Sequence, residues 1–155
     1  MIKVEINQRV GKKIKEAWLN KIVEQTLGAV GVKSAGVSIA IVGDQEMKKL
    51  NKEWRGKNCV TDVLSFDYKF QVFPILSRIL DGRAIGTSSK FQVDGEIIIS
   101  YPQAARQARE RGECVNDEIK MLLIHGALHL AGYDHEKSLK EARKMREMEQ
   151  KISNF

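Results

Sequence analysis

Four short segments of the chain carry the hydrophobic patterns of β-strands. Residues 2–6 alternate between apolar and charged side chains, which is the period of a strand with one buried face. Residues 36–42, 60–66 and 96–100 are short apolar runs rich in β-branched side chains. The sequence therefore predicts four strands, spread over the first 100 residues.

Five further segments have the apolar spacing or the capping residues of helices. The predicted helices cover residues 12–27, residues 44–54 with Asp44 as N-cap, residues 100–112 between the cap Ser100 and Gly112, a segment from the cap Asn116 to Leu130, and residues 136–152. The fourth of these is apolar on several sides, so we expect it to be central and buried. The fifth has a single apolar stripe, so we expect it to dock on the outside.

Residues 69–94 have no clear periodicity. They contain Pro74, Gly82 and Gly86 around the apolar stretch FPILSRIL. This composition predicts a long excursion with room for a short amphipathic helix.

The size and composition of the chain narrow the classes of function. A length of 155 residues suits one domain with one core, so we predict a single domain over residues 1–155. The net charge of +6 favours polyanionic partners such as nucleic acid. Cys59 and Cys114 form no C-x-x-C pair, and no stretch approaches the roughly 18 apolar residues of a membrane span. We therefore expect reduced thiols, a cytoplasmic location and no membrane contact.

All three histidines of the chain fall within eleven residues, HGALHLAGYDH. On a helix His125 and His129 are one turn apart, so both imidazoles project from one face. Gly132 can adopt a left-handed conformation that turns the chain back, which allows His135 to reach the same ion. Three neutral imidazoles bind Zn²⁺ and leave a fourth position open to water, as in catalytic sites. The spacing therefore predicts one zinc ion per chain.

The same spacing occurs in the metzincin proteases, H-E-x-x-H-x-x-G-x-x-H, but Gly126 stands where those enzymes have glutamate. That glutamate is the general base of peptide hydrolysis, and glycine cannot transfer a proton. A metzincin-like metalloprotease is therefore a disfavoured alternative. A reaction with a better leaving group depends less on this general base.

The histidine segment resembles the signature of the YbeY endoribonucleases, metal-dependent ribosomal RNA maturation factors, whose motif looks like H-G-x-L-H-L-x-G-Y-D-H. The segments LNKEWRGKNCVTDVLSF, residues 50–66, and GEIIIS, residues 95–100, agree with that family in order and character. The resemblance implies an α+β fold in which a small mixed four-stranded sheet packs with about five helices. A central buried helix would carry His125 and His129.

The resemblance also implies a function. It indicates a zinc-dependent endoribonuclease that hydrolyses single-stranded RNA in ribosomal RNA maturation and ribosome quality control, with the small ribosomal subunit as a partner and no DNA substrate. A non-catalytic RNA-binding or ribosome-assembly factor, stabilised by zinc, remains an alternative.

Three further residues are candidates for the site. Arg55 matches, by the resemblance, an arginine implicated in the family's activity, and its planar guanidinium suits phosphate. The alternative is an arginine that only stabilises a helix C-terminus. Asp62 could orient a ligand histidine or be an ordinary aspartate at a strand edge. Asp134 could support the neighbouring ligand or only form a turn.

Overall fold

The structure is a computed structural model that describes residues 1–68 and 94–155. The strands are β1 (Ile2–Gln8), β2 (Ala35–Val42), β3 (Val63–Asp67) and β4 (Gly95–Ser100). The helices are α1 (Glu16–Ala29), α2 (Asp44–Arg55), α3 (Tyr101–Arg111), α4 (Val115–Leu130) and α5 (Leu139–Ser153). The excursion and short helix predicted for residues 69–94 lie outside the described residues, apart from Asp94.

The four strands form one mixed sheet in the order β1-β2-β4-β3. β1 and β4 both run parallel to β2, whereas β3 runs antiparallel to β4. The predicted α+β class with a small mixed four-stranded sheet is confirmed. β2 and β4 are central and almost wholly buried, so among the described strands β1 and β3 form the two edges.

The two faces of the sheet are covered by different helices, because successive side chains of a strand point to opposite faces. The odd-numbered residues of β2 and β4 join the larger core, to which α1 contributes Leu19 and α4 contributes Leu123. The even-numbered residues join a smaller core under α2, which contributes Met47 and Leu50. Across residues 1–68 and 94–155, no helix has the length and apolarity needed to cross a bilayer.

Two predicted N-caps, Asp44 and Asn116, are wrong. α2 begins at Asp44 itself, with Gly43 as N-cap. The Asp44 carboxylate instead accepts hydrogen bonds from both terminal nitrogens of Arg106, at 2.8 and 2.9 Å, and one from Ser100 Oγ at 3.0 Å. The hydrogen bonds from Arg106 lower the pKa of Asp44, although partial burial opposes them. One charged partner from α3, Arg106, therefore outcompetes the local backbone for this carboxylate.

The other boundaries differ by a few residues. α4 begins at Val115 after the N-cap Cys114, rather than at Asn116. α1 covers Glu16–Ala29, whereas the predicted helix covered residues 12–27. β3 begins only at Val63, so Asp62 lies just before the strand and not in it. α5 begins after Ser138, whose hydroxyl accepts a hydrogen bond from the Glu141 N–H at 3.1 Å.

α4 is the central helix, and Gly126 allows it to pack closely on the sheet. A Cβ at Gly126 would lie 2.9 Å from Ile97 Cγ2 of β4, and both residues are buried. The position that holds glutamate in metzincins therefore faces the sheet here. The Cβ of any larger residue at this position would be buried against Ile97.

The close contact at Gly126 predicts that a larger residue there lowers the stability of the fold. Gly126→Ala should lower the free energy of unfolding by about 1 to 2 kcal/mol, because overpacking outweighs the gain of about 1 kcal/mol in helix propensity. Gly28→Ala is the matched control, since Gly28 is also helical and a Cβ there meets nothing within 4 Å. Urea unfolding should show the two variants changing in opposite directions. Equal stabilisation by both would contradict the close packing.

Candidate active site

The three histidines converge on one point. His125 and His129 project from α4 one turn apart, and His135 returns from the loop that follows the helix. The three ring centroids are 4.7 to 5.1 Å apart, and the Nε2 atoms of His125 and His129 are 3.1 Å apart. One nitrogen from each ring lies within 4.8 Å of the other two.

The turn after α4 brings His135 back to the helix. Gly132 has a φ of 96°, which L side chains rarely adopt. Its N–H donates to the carbonyl of His129 at 3.0 Å, and the Tyr133 N–H donates to the carbonyl of Leu128 at 3.0 Å. These two bonds form a Schellman motif, which closes the helix and reverses the chain. The left-handed turn predicted at Gly132 is confirmed.

The geometry fits a tetrahedral metal ion. Ligand nitrogens about 2.0 to 2.1 Å from a zinc ion lie about 3.3 Å from one another in a tetrahedron, close to the 3.1 Å between the two Nε2 atoms. Burial lowers the pKa of His129, and the neighbouring His125 and His135 lower it further. His129 therefore stays neutral at a lower pH than an ordinary histidine, and neutral imidazole is the form that binds metal.

Glu149 is a residue of the site that sequence reasoning missed. Its Oε1 lies 2.6 Å from His125 Nδ1, and its side chain is only 17% exposed. A carboxylate at this distance accepts the Nδ1–H proton, which leaves the lone pair of the ring on Nε2, the atom nearest to His129. Its spacing, four residues after Met145 and three before Ile152, places Glu149 on the buried face of α5, but does not indicate that His125 is its partner.

The contact between Glu149 and His125 predicts an effect on metal affinity. Glu149→Gln should weaken zinc binding by about tenfold, because the amide can accept the same hydrogen bond but lacks the charge that makes the imidazole a stronger ligand. Glu149→Ala should weaken it more. Glu147→Gln, on the exposed face of the same helix, is the matched control. A competition titration with a chromophoric chelator measures the affinities, and wild-type affinity in both Glu149 variants would contradict the assignment.

Arg55 lies at the same site as the histidines. It is the last residue of α2, and it lines a cavity of about 410 Å³ together with all three histidines. Its Nη2 lies 3.5 Å from Oε1 of Glu136, the residue that follows His135. The Arg55 and Glu136 side chains are 42% and 65% exposed, so the guanidinium is accessible to a ligand in the cavity.

Asp62 and Asp134 also line this cavity, but the hydrogen bonds that their carboxylates accept come from groups other than the histidines. Asp62 Oδ1 accepts from the Val63 N–H at 2.7 Å, and its Oδ2 accepts from Gln107 Nε2 at 3.2 Å. Asp134 Oδ1 accepts from the Glu136 N–H at 2.9 Å, which is the bond of a turn. Among the described residues, the carboxylate hydrogen-bonded to a ligand histidine is that of Glu149, whereas Asp134 acts on His129 through its charge, which raises the pKa of that histidine against the larger effect of burial.

Comparison with known proteins agrees with these features. The sequence model of the family described as Endoribonuclease YbeY matches residues 2–155. The Endoribonuclease YbeY of Aquifex aeolicus is 38% identical over 138 residues, which cover 89% of this chain and 81% of the relative. That of Thermodesulfovibrio yellowstonii is 39% identical over 151 residues, covering 94% and 86%.

A solved structure is also similar. The solution structure of a Thermotoga maritima protein superposes with a TM-score of 0.55 at 27% identity, covering 99% of this chain and 87% of that protein. The fold and the sequence comparisons therefore agree over nearly the whole chain. The chain belongs to the YbeY family of endoribonucleases, enzymes that cleave RNA by hydrolysis.

Proposed function

We propose that this protein is a single-domain, zinc-dependent endoribonuclease that hydrolyses single-stranded RNA in ribosomal RNA maturation and ribosome quality control. The observation that carries the proposal is the convergence of three histidine nitrogens in a cavity that Arg55 also lines. A reducing cytoplasm suits the two free cysteines, Cys59 and Cys114. The choice of ribosomal RNA and the small subunit rests on the resemblance to YbeY.

The donor set supports zinc. Within the described residues, the side chains that could hold a metal ion at this site are those of His125, His129 and His135, and each offers one imidazole nitrogen. Imidazole nitrogen in a three-histidine set with one open position is typical of catalytic zinc. A bound zinc ion would supply Lewis acidity, which acidifies water and polarises a phosphoryl oxygen.

Two side chains near the histidines would have separate roles in the reaction. Glu149 fixes the ring of His125 and its tautomer through the Nδ1 contact. Arg55 presents a permanent, planar positive charge that can pair with two phosphate oxygens. The guanidinium of Arg55, which lines the cavity, would therefore stabilise the negative charge that builds up on the phosphate during hydrolysis.

The orientation of Gly126 weighs against the protease alternative. In the metzincin mechanism the glutamate after the first histidine acts on water at the metal. Here the Cβ direction of Gly126 leads to Ile97 in the core, away from the open side of the histidine cluster. Membership of an endoribonuclease family favours the enzyme over a non-catalytic factor.

One set of reactions tests the proposed function. The metal-stripped protein should be inactive, and added zinc should restore cleavage of an unstructured RNA oligonucleotide labelled at one end. A perfect duplex of the same sequence and an unfolded protein substrate should remain intact, because the proposed substrate is single-stranded RNA. Cleavage of the unfolded protein by the zinc-loaded enzyme, abolished by chelator, would support the protease instead. Equal cleavage of the duplex would contradict the single-strand preference.

A further inference from the structure

Among the described strands β3 lies at one edge of the sheet, and it borders the cavity that the histidines line. It pairs with β4 on one side and is the last strand in the order β1-β2-β4-β3. Val63 and Ser65 line the cavity, as do Arg55 and His129. β3 therefore forms one wall of the site.

The hydrogen bonds that flank β3 show which backbone groups pair with β4. The Ser100 N–H donates to the Asp62 carbonyl at 2.9 Å, and the Tyr68 N–H donates to the Asp94 carbonyl at 2.9 Å. In an antiparallel pair, hydrogen-bonded positions recur at every second residue. Both flanking residues of β3 are even-numbered, so the even-numbered residues direct their N–H and C=O groups to β4.

The odd-numbered residues of β3 consequently direct their backbone groups to the outer edge. The bond from the Val63 N–H to Asp62 Oδ1, at 2.7 Å, agrees with this, because the aspartate side chain satisfies an N–H that lies outside the ladder. Within residues 1–68 and 94–155, the Val63 carbonyl and the Ser65 N–H have no backbone partner, so they are a neighbouring acceptor and donor on the outer edge. Neither takes part in the pairing of β3 with β4.

We propose that the Val63 carbonyl and the Ser65 N–H bind the Watson–Crick edge of one unpaired base of the RNA substrate. This assignment rests on the proposed RNA-cleaving function. Every nucleobase has a donor and an acceptor side by side on that edge, such as N3–H and O4 of uracil or N6–H and N1 of adenine. An acceptor at one residue and a donor two residues later match this pattern without selecting strongly among the four bases.

The chemistry of the wall favours a base over a phosphate or a peptide. A phosphate oxygen only accepts hydrogen bonds, so the Val63 carbonyl would repel it, whereas Arg55 across the same cavity suits it. A peptide strand could pair with the edge, but the positive charge of Arg55 and the family's RNA-cleaving activity favour a nucleotide. The cavity of about 410 Å³ lies within the range of about 300 to 1,000 Å³ for small-ligand sites.

The assignment gives a physical reason for a preference for single strands. In a duplex the Watson–Crick edges of both bases are already paired, so neither can bond to β3. Binding of a base at this wall therefore requires unpairing, which costs free energy in a duplex but not in a loop or a single strand.

Substitution at Ser65 tests the wall from the protein side. Ser65→Pro deletes the outward N–H but no bond to β4, and proline is tolerated where the N–H of an edge strand faces outward. Ser65→Ala is the reference, because it removes the hydroxyl and keeps the N–H. We expect zinc content to be the same in both variants and kcat/KM for an RNA oligonucleotide to be about tenfold lower in Ser65→Pro than in Ser65→Ala, through KM. Equal values in two folded, zinc-loaded variants would overturn the proposal.

Modified substrates test it from the RNA side, even if Ser65→Pro fails to fold. N3-methyluridine, which lacks the N3–H donor, is placed at each position in turn of a uridine oligonucleotide. We expect one position next to the cleaved bond at which the methyl group lowers wild-type cleavage about tenfold, and a smaller loss there in Ser65→Pro, which already binds that base less tightly. Uniform cleavage of all methylated oligonucleotides would overturn the base contact but not the proposed nuclease, whereas no cleavage of any RNA would count against the nuclease itself. If an unstructured peptide inhibited RNA cleavage by the wild type but not by Ser65→Pro, the outer edge of β3 would be a peptide-binding site, and the proposal would be overturned.

Discussion

Replacement of His129 by alanine should remove the metal and, with it, RNA cleavage, while the fold remains. His129 supplies one of three converging nitrogens, and its Nε2 lies 3.1 Å from that of His125. Two remaining imidazoles bind zinc far more weakly than three. A metal that acidifies water contributes several kcal/mol to hydrolysis, so we expect cleavage to fall by about a thousandfold or more.

Metal analysis and melting curves separate this outcome from simple unfolding. Wild-type protein should hold one zinc per chain and melt at a higher temperature when zinc is added, because the ion binds only the folded state. His129→Ala should be folded, hold little zinc and show no such rise, whereas the exposed Glu147→Ala control should behave as wild type. His125→Ala and His135→Ala should also lose zinc. Full zinc content in all three histidine variants would refute the site.

The histidine site could be predicted because its geometry is almost entirely local. Helical periodicity alone places His125 and His129 on one face, and the left-handed turn at Gly132 is a property of glycine. The four strands and five helices were recognisable for the same reason, since their hydrophobic periods are local. Their pairing into a mixed sheet was available only through the resemblance to a family.

The contacts that could not be predicted all join distant parts of the chain. Glu149 reaches His125 across 24 positions, and nothing local to α5 distinguishes a carboxylate that contacts a ligand from one that is merely half-buried. Asp44 failed as an N-cap because Arg106, 62 positions later, binds its carboxylate. The local rule for capping was sound, but a charged tertiary partner provided stronger hydrogen bonds.

Gly126 shows a different limit of sequence reasoning. The sequence identifies it as an absent general base, which is a statement about chemistry. The structure adds that its missing Cβ accommodates Ile97 of the sheet, which is a statement about packing. The same glycine therefore affects both the reaction class and the depth at which α4, with its two histidines, sits on the sheet.

Arg55→Ala should separate metal binding from phosphate chemistry. The variant should keep its zinc and its fold, because Arg55 is 42% exposed and its ion pair with Glu136, at 3.5 Å, lies on the surface. Exposed pairs of this kind contribute less than about 1 kcal/mol to stability. Cleavage of single-stranded RNA should nevertheless fall by about a hundredfold or more, since a preorganised donor to developing negative charge contributes about 3 to 4 kcal/mol in the transition state.

Two further variants identify what Arg55 contributes. Arg55→Lys keeps the positive charge but not the planar pair of donors, so we expect partial rescue at best. Glu136→Gln removes the ion pair and leaves the guanidinium in place, so its cleavage should stay within a few fold of wild type if Arg55 acts on phosphate. If Arg55 served only to stabilise the end of α2 or to hold Glu136, Arg55→Ala would show a small loss of melting temperature with near-normal cleavage. Zinc content, melting temperature and cleavage measured on the same preparations distinguish these outcomes, and near-normal cleavage by folded, zinc-loaded Arg55→Ala would remove Arg55 from the reaction.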